Sequence, residues 1–465
     1  MNTIWCPELA ARSGPRYRAI AAAIAEAIED GRLAPGERLP THRALAEALG
    51  VTVGTVTRGY AEAERQGLVR ARVGSGTYVR GGEADPPEFA IAGDEAASSL
   101  IPMGLSLPAP IAREGLLAQA LREIAGDRAA LADALGYHPE AGIARHREML
   151  AGWLREAWGV PVAADSLLLS LGGMHGVYLA LQALLRPGET LASEALTYPG
   201  LIAAARQLGL RHVGLAMDDE GLIPEALEAA CRQQGVRAVY CMPNQNNPTT
   251  AVMSEARRQA LLTVARREGV TVIEDDVHLV AANERPPNLL ELDPERVVYV
   301  TGCSKVLAGG LRVGMVHAPA ALLARLAEVL RSHCWMAPPL NAEVACRWIG
   351  SGVADELAAA QRDELGGRQA LAAEKLAGSG ARGQPYGFNL WLPLPEPWRA
   401  SAFVRRCEAE GLLLRSAEPF TVGSLPAPQA VRLSLSAPAS REAVTRGLDI
   451  VRRVLAEAPP VQALV

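Results

Sequence analysis

The chain has 465 residues, 49% apolar and 21% charged, proportions of an ordinary globular protein that exclude a disordered or collagen-like one; at roughly 100–200 residues per domain they suit two to four domains. The net charge of −5 is uneven, because the first 82 residues hold 11 arginines against 8 acidic residues, and that end suits an anionic partner. Seven cysteines, Cys6, Cys231, Cys241, Cys303, Cys334, Cys346 and Cys407, are odd in number and form no Cys-x-x-Cys pair, which points to the reducing cytoplasm and away from structural zinc.

The opening residues have no basic start followed by an apolar core, so no secretory signal is expected. From Tyr17 to Ile28, apolar residues at 17, 20, 24 and 28 recur at helical spacing and stop at Asp30-Gly31. After the Pro35-Gly36 turn, Thr41-His42-Arg43 opens a second helix that ends at Gly50, and Val51-Thr52 opens a third that runs to Gly67. Two short helices joined by a glycine-containing turn form a helix-turn-helix pattern. Leu68–Val73 and Thr77–Val79 flank Gly74-Ser75-Gly76, reading as a two-stranded wing with a glycine tip. Arg43, Thr55, Thr57 and Arg58 face outward, with Ser75 and Gly76 at the wing. These residues suit groove and phosphate contacts, or else they cap and solvate a small helical bundle.

Residues 12–80 resemble the winged-helix DNA-binding domain of the GntR regulators. The resemblance lies in Gly31-Arg-Leu-Ala-Pro-Gly-Glu-Arg-Leu-Pro40, Leu45-Ala-Glu-Ala-Leu-Gly-Val51, Thr55-Val-Thr-Arg-Gly-Tyr60 and Gly74-Ser-Gly-Thr-Tyr-Val79. It implies double-stranded DNA as partner. The chain has Thr52-Val53-Gly54 where many relatives carry Ser-Arg-Asn, so no operator sequence is carried over.

Residues 81–103 are rich in glycine, proline and small residues and read as an interdomain linker. Residues 104–465 form the second domain. Helical runs there alternate with short apolar strands such as Leu167–Leu171, Ala238–Cys241, Val270–Ile273 and Val297–Val300, the pattern of an α/β fold with a mostly parallel sheet. The twenty residues from Ser166 to Leu185 hold no Asp, Glu, Lys or Arg. Gly172, Gly173 and His175 interrupt them and the pattern changes midway, so strand, turn and helix are expected rather than a membrane span.

Of 46 basic residues only two are lysines, Lys305 and Lys375. Arginine serves most solvated positions, but only a primary amine condenses with an aldehyde, so Lys305 is the candidate cofactor-bearing residue. Lys375 lies in a helical pattern where a solvated head group is ordinary. Gly172-Gly-Met-His-Gly176 between strand and helix would leave free amides for a phosphate, although glycines there also serve packing. Glu274-Asp275-Asp276 closes a buried strand at the edge where such sheets bind ligands, although acids there also serve as helix caps or solvated ends. Arg312 and Ser304 stand near Lys305 in sequence and suit the same phosphate.

Together these parts resemble the fold-type I aminotransferases over about residues 104–440, which implies pyridoxal 5'-phosphate as cofactor. By that resemblance Lys305 forms the internal aldimine and Asp275 pairs with the pyridine nitrogen. Asn247 bonds the phenolic oxygen, Tyr198 stacks on the ring, and Gly173, Met174, Ser304 and Arg312 hold the phosphate. Tyr137 reaches the partner subunit's phosphate in a homodimer, and Arg432 grips the α-carboxylate of an amino acid or similar amine effector. Three departures stand out: Gly302 where Thr or Ser is common, Val277-His278 where a tyrosine is expected, and Thr250 closing the Asn-Pro-Thr turn. His278 either bonds the phenolic oxygen in the tyrosine's place or is simply packed. Pocket-wall loops such as Pro338–Leu340 and Phe388–Trp391 carry no decisive charge.

A GntR-like winged helix ahead of an aminotransferase-like domain is the layout of the MocR family of transcriptional regulators. The resemblance implies a DNA-binding regulator that senses pyridoxal phosphate, or an amino compound through it, at Lys305. The alternative is a working aminotransferase that carries a DNA-binding domain, since the residues for proton transfer are present.

Overall fold

A computed structural model describes residues 5–7, 15–34, 36–65, 68–72, 76–79, 100–423 and 425–457. The chain divides into two compact units, Met1–Ala90 and Ile91–Val465. In the first, α1 (Arg16–Glu29), α2 (His42–Leu49) and α3 (Val53–Arg65) precede an antiparallel ribbon of β1 (Val69–Arg72) and β2 (Gly76–Val79). The Thr41 hydroxyl accepts the Ala44 N–H and starts α2, and Gly50 ends it at φ 58°, a left-handed stop that suits glycine. Ile20, Ile24, Leu45, Val56, Tyr60, Val69 and Val79 make the core. The stripe expected on the first helix is thus buried at 20 and 24 and half-buried at Tyr17 and Ile28. Gly76 opens β2 at φ 118° with the Arg38 side chain against it; Gly74 and Ser75 lie outside the described residues.

The main sheet of the second unit takes seven of its described strands: β3 (Leu167–Ser170), β4 (Thr190–Glu194), β5 (Arg211–Leu215), β6 (Val236–Cys241), β7 (Thr271–Asp275), β8 (Val297–Gly302) and β9 (Gly314–His317). Their order is β3-β9-β8-β7-β6-β4-β5, parallel throughout except for β9, which runs against both neighbours. Val297 and Tyr299 of β8 enter one apolar layer while Val298 and Val300 enter the other. Burial on both faces is why these strands read as unbroken apolar runs. Helices cover them, among them α4 (Ala144–Trp158), α5 (Gly173–Leu184), α6 (Pro199–Gln207), α7 (Glu255–Glu268) and α8 (Pro339–Gly350). The charge-free stretch from 166 to 185 becomes β3, a turn and α5. No helix among the described residues is long and apolar enough to cross a membrane.

A long helix, α9 (Val353–Lys375), leads to a C-terminal lobe. There β10 (Arg382–Gly383), β11 (Asn389–Pro393), β12 (Arg415–Ser416) and β13 (Ala430–Ser434) pair antiparallel in the order β10-β11-β13-β12. With α10 (Ala400–Ala409) and α11 (Arg441–Ala456) they enclose a separate core around Leu390, Phe403, Val431, Leu433 and Val451. Lys375 is half-buried here and donates to Asp449 at 2.9 Å, a structural tie between α9 and α11 rather than a solvated head group.

Candidate functional site

The C-terminal ends of the parallel strands gather the reactive side chains, as open α/β sheets do. Lys305 follows β8; its amine donates to the Ser106 carbonyl and lies 5.8 Å from the centre of the Phe388 ring. Burial, then the charge of Arg432, bring that amine down to about 8, with Asp275 pulling the other way. A primary amine this near neutrality is partly unprotonated and nucleophilic at physiological pH.

The three acids ending β7 part company. Glu274 accepts the Leu289 and Leu290 N–H groups at 3.0 and 2.9 Å, capping the short helix Leu289–Leu292. Asp276 accepts the Tyr299 hydroxyl at 2.7 Å. Asp275 accepts the Tyr240 hydroxyl at 2.6 Å and the Val277 N–H at 3.2 Å, and it is within electrostatic reach of Lys305. Burial lifts Asp275 to about 6 although both donors favour its charged form.

An anion cradle forms where β3 turns into α5. Gly172 makes that turn at φ 84°, and the first amides of α5 have no partners within the helix. Arg312 packs against the turn, donating to the Leu171 carbonyl at 2.8 Å and reaching the Ser304 hydroxyl at 3.4 Å. A Cβ on Gly172 would stand 2.4 Å from the Arg312 guanidinium, so only glycine leaves the corner open. The amides of Gly173 and Met174, the Ser304 hydroxyl and the Arg312 guanidinium therefore suit a phosphate. Gly302 is packed too tightly for the common hydroxyl residue: a Cβ there would lie 2.9 Å from the Val313 carbonyl and 3.5 Å from the Gly173 nitrogen.

From the C-terminal lobe, Arg432 on β13 is buried and donates to Asn247 Oδ1 at 2.9 Å and to the Gly104 carbonyl, its guanidinium 4.9 Å from the Phe420 ring centre. Tyr198 precedes α6 and, with Met174, borders Gly200. Burial, then the charge of Asp275, raise the Tyr198 phenol to about 12. His278 is buried and stacked on Phe388, ring centres 5.1 Å apart. Burial and the cations Lys305 and Arg432 push its imidazole down to about 3, so it stands neutral. A cavity of 1320 Å³ borders the site, sharing His278 and Phe388 with it. Tyr137 is not brought to the site within this chain: it is 84% exposed, edge-on to Trp335 at 5.7 Å.

In the first unit Arg43, Thr57 and Arg58 are exposed and Thr55 is half-buried. Thr57 bonds back to the Val53 carbonyl at 3.0 Å, Thr55 shares a 2.9 Å hydrogen bond with Thr52, and Arg58 lies over Tyr17 at 4.3 Å.

Sequence reasoning missed Tyr240, Ser106 and Gln361, which donates to the Lys305 carbonyl at 2.6 Å. Tyr240 left a signal, since a tyrosine in a fully buried strand needs a partner for its hydroxyl. Ser106 and Gly104 act through carbonyls, which every residue carries, and left none.

Residues 113–451 match the model for aminotransferase class I and II, and residues 16–79 match that for bacterial regulatory proteins of the gntR family. The chain is 31% identical over 453 residues to the HTH-type transcriptional regulator YdeF of Bacillus subtilis, covering 97% of this chain and 96% of that one. It is 28% identical over 433 residues to the HTH-type transcriptional regulator TauR of Rhodobacter capsulatus, covering 85% and 88%. Among solved structures, LysN, an α-aminoadipate aminotransferase from Thermus thermophilus complexed with N-(5'-phosphopyridoxyl)-L-leucine, superposes with a TM-score of 0.69 at 26% identity, covering 79% of this chain and 95% of that one.

Proposed function

Because the chain belongs to the MocR family, transcriptional regulators with a GntR-type DNA-binding domain and a class I and II aminotransferase domain, we propose that its large domain senses a carboxylate-bearing amine at Lys305. The observation that carries this reading is the convergence of an amine near neutrality, a buried carboxylate, an anion cradle and a buried arginine at one sheet edge. The cofactor of this fold is pyridoxal phosphate, and the donor set fits it: the open corner at Gly172 suits a phosphate and Lys305 supplies the amine. When bound, pyridoxal phosphate supplies an aldehyde that exchanges amines and a ring that withdraws electrons.

The chain's own residues would divide the work. Gly173, Met174, Ser304 and Arg312 hold the phosphate. Asp275, held by Tyr240, keeps a proton at the ring nitrogen. Asn247 orients the phenolic oxygen, Tyr198 covers one ring face, and the neutral His278 with Phe388 walls the site. Arg432 takes the effector's carboxylate, exchanging its bond to the neutral Asn247 amide for an ion pair. In the cytoplasm the protein works as a homodimer, and the exposed Tyr137 is free to reach a second copy's cradle. Arg43, Arg58, Thr55 and Thr57, with Ser75 and Gly76 of the wing, would contact the DNA.

Visible absorption of the purified protein with pyridoxal phosphate, followed through a panel of amino acids, tests the reading. A band lost in Lys305→Ala that shifts with one amino acid and then persists is the expected result. Release of keto acid would move the assignment to a working aminotransferase. Absence of any lysine-dependent band would remove Lys305 from the cofactor.

A further inference from the structure

Glu194 ends β4, is wholly buried, and is used by none of the steps above. Its partners are hydrogen-bond donors rather than cations. One carboxylate oxygen accepts the Met242 N–H at 2.8 Å, the other accepts the Thr197 hydroxyl at 3.3 Å, and the Asn246 amide also reaches it. Burying an acid with no cation beside it is costly, and an apolar side chain of that size would fill the space at lower cost. Packing alone therefore does not explain the residue.

What the carboxylate joins does explain it. Thr197 adjoins Tyr198, and Asn246 adjoins Asn247. Asn246 also donates to the Leu196 carbonyl at 3.3 Å and accepts the Thr249 N–H and hydroxyl at 3.1 and 2.7 Å, so the two loops are knotted at one point. A third segment enters from the C-terminal lobe: the Thr197 N–H donates to the Phe420 carbonyl at 2.8 Å, the Val422 N–H donates to the Ala195 carbonyl at 3.0 Å, and Leu196 bridges Thr421. Phe420 is the ring on which the Arg432 guanidinium rests. A carboxylate offers acceptor sites for an amide N–H, a hydroxyl and a side-chain amide together.

We propose that Glu194 is a positioning residue that locks the Tyr198 loop, the Asn247 loop and the Phe420 segment together, so that a ligand closing on Arg432 is felt at Tyr198 and Asn247. The consequence for ligand binding rests on the function proposed above; the lock itself does not. Burial brings the carboxyl up to about 7 against the pull of its donors, in keeping with an acid retained for its hydrogen bonds and not for a cation.

Hydrogen exchange on the full-length protein tests the lock directly, with Glu194→Ala, Glu194→Gln and Thr197→Val compared at matched melting temperature. Glu194→Ala should raise exchange in segments 195–199, 242–250 and 418–423 together while β8 stays protected. Glu194→Gln keeps an acceptor for Met242 and a donor for Thr197 but gives up the bond from the Asn246 amide, and should restore part of the protection. Thr197→Val, the mildest change, should loosen the first and third segments. Pyridoxal phosphate affinity should fall about 10-fold in Glu194→Ala and stay within about 3-fold in Glu194→Gln, the span expected for a buried hydrogen-bond hub. Exchange that rises in one segment only, or throughout the domain, or equally in Gln and Ala, overturns the lock. If the wild type binds no pyridoxal phosphate, the cofactor reading fails, and the exchange pattern still decides the lock.

Discussion

Asp275 shows how one residue acquires a role its neighbours lack. It shares a strand end with Glu274 and Asp276, yet those two are spent on a helix cap and on Tyr299. Asp275 keeps the Tyr240 hydroxyl as its strongest partner and stays near Lys305. Burial raises its proton affinity and Tyr240 lowers it, so removing that phenol should leave the acid harder to ionise. Tyr240→Phe is accordingly expected to move the pH dependence of the cofactor band to higher pH. It should also destabilise the domain by about 1–3 kcal/mol, the cost of a buried acceptor left short of a donor. A pH titration of absorbance and a urea melt check the two parts separately. An unchanged midpoint in both would mean that the Tyr240 bond does not tune Asp275.

Helix α8 is anchored to α4 by one acid, and this anchor makes acid stability a property of the element pair. Glu343 accepts from His146 at 2.8 Å and from Arg145, both on α4, and from Arg347 at 2.7 Å on its own helix. Burial alone would raise the Glu343 carboxyl, but these hydrogen bonds outweigh it and hold it down at about 2. A folded-state value below the unfolded 4.5 means the stabilisation is fully present above pH 4.5 and is lost as pH falls toward 2. Allowing for screening at the exposed arginine, the contribution is on the order of 2 kcal/mol. Urea midpoints should therefore drop between pH 5 and pH 3 by less in Glu343→Gln than in the wild type; parallel curves would exclude the α4–α8 anchor as the acid-labile element. The first amides of α5, by contrast, have no partners within their helix.

At the scale of the molecule the chain divides into two compact units. The first is small and rich in arginine; the second buries its few decisive charges at a sheet edge. Sequence-independent DNA affinity comes from neutralised phosphates and falls with salt. Arg43→Ala and Arg58→Ala are each expected to reduce the slope of log affinity against log salt by about 0.9, as for one lost phosphate contact. Lys305→Ala should leave that slope unchanged. Fluorescence anisotropy with a duplex at several salt concentrations provides the measurement, and unaltered slopes in the arginine variants would move those side chains off the DNA.

The division between what can be read locally and what cannot follows from how far an interaction reaches along the chain. Helix starts and stops such as Thr41 and Gly50, the strand-turn-helix at 166–185, and the scarcity of lysine that singles out Lys305 depend on residues a few positions apart or on composition, and the sequence alone determined them. The mostly parallel sheet follows from alternating strands and helices. Tertiary structure alone decided that Asn247 meets Arg432 across 185 residues of chain and that Tyr240 serves Asp275. It alone brought Met242 and Asn246 to Glu194. Strand order places β6 between β4 and β7, and a buried carboxylate takes whatever donors that order sets beside it, which no spacing within β4 could reveal.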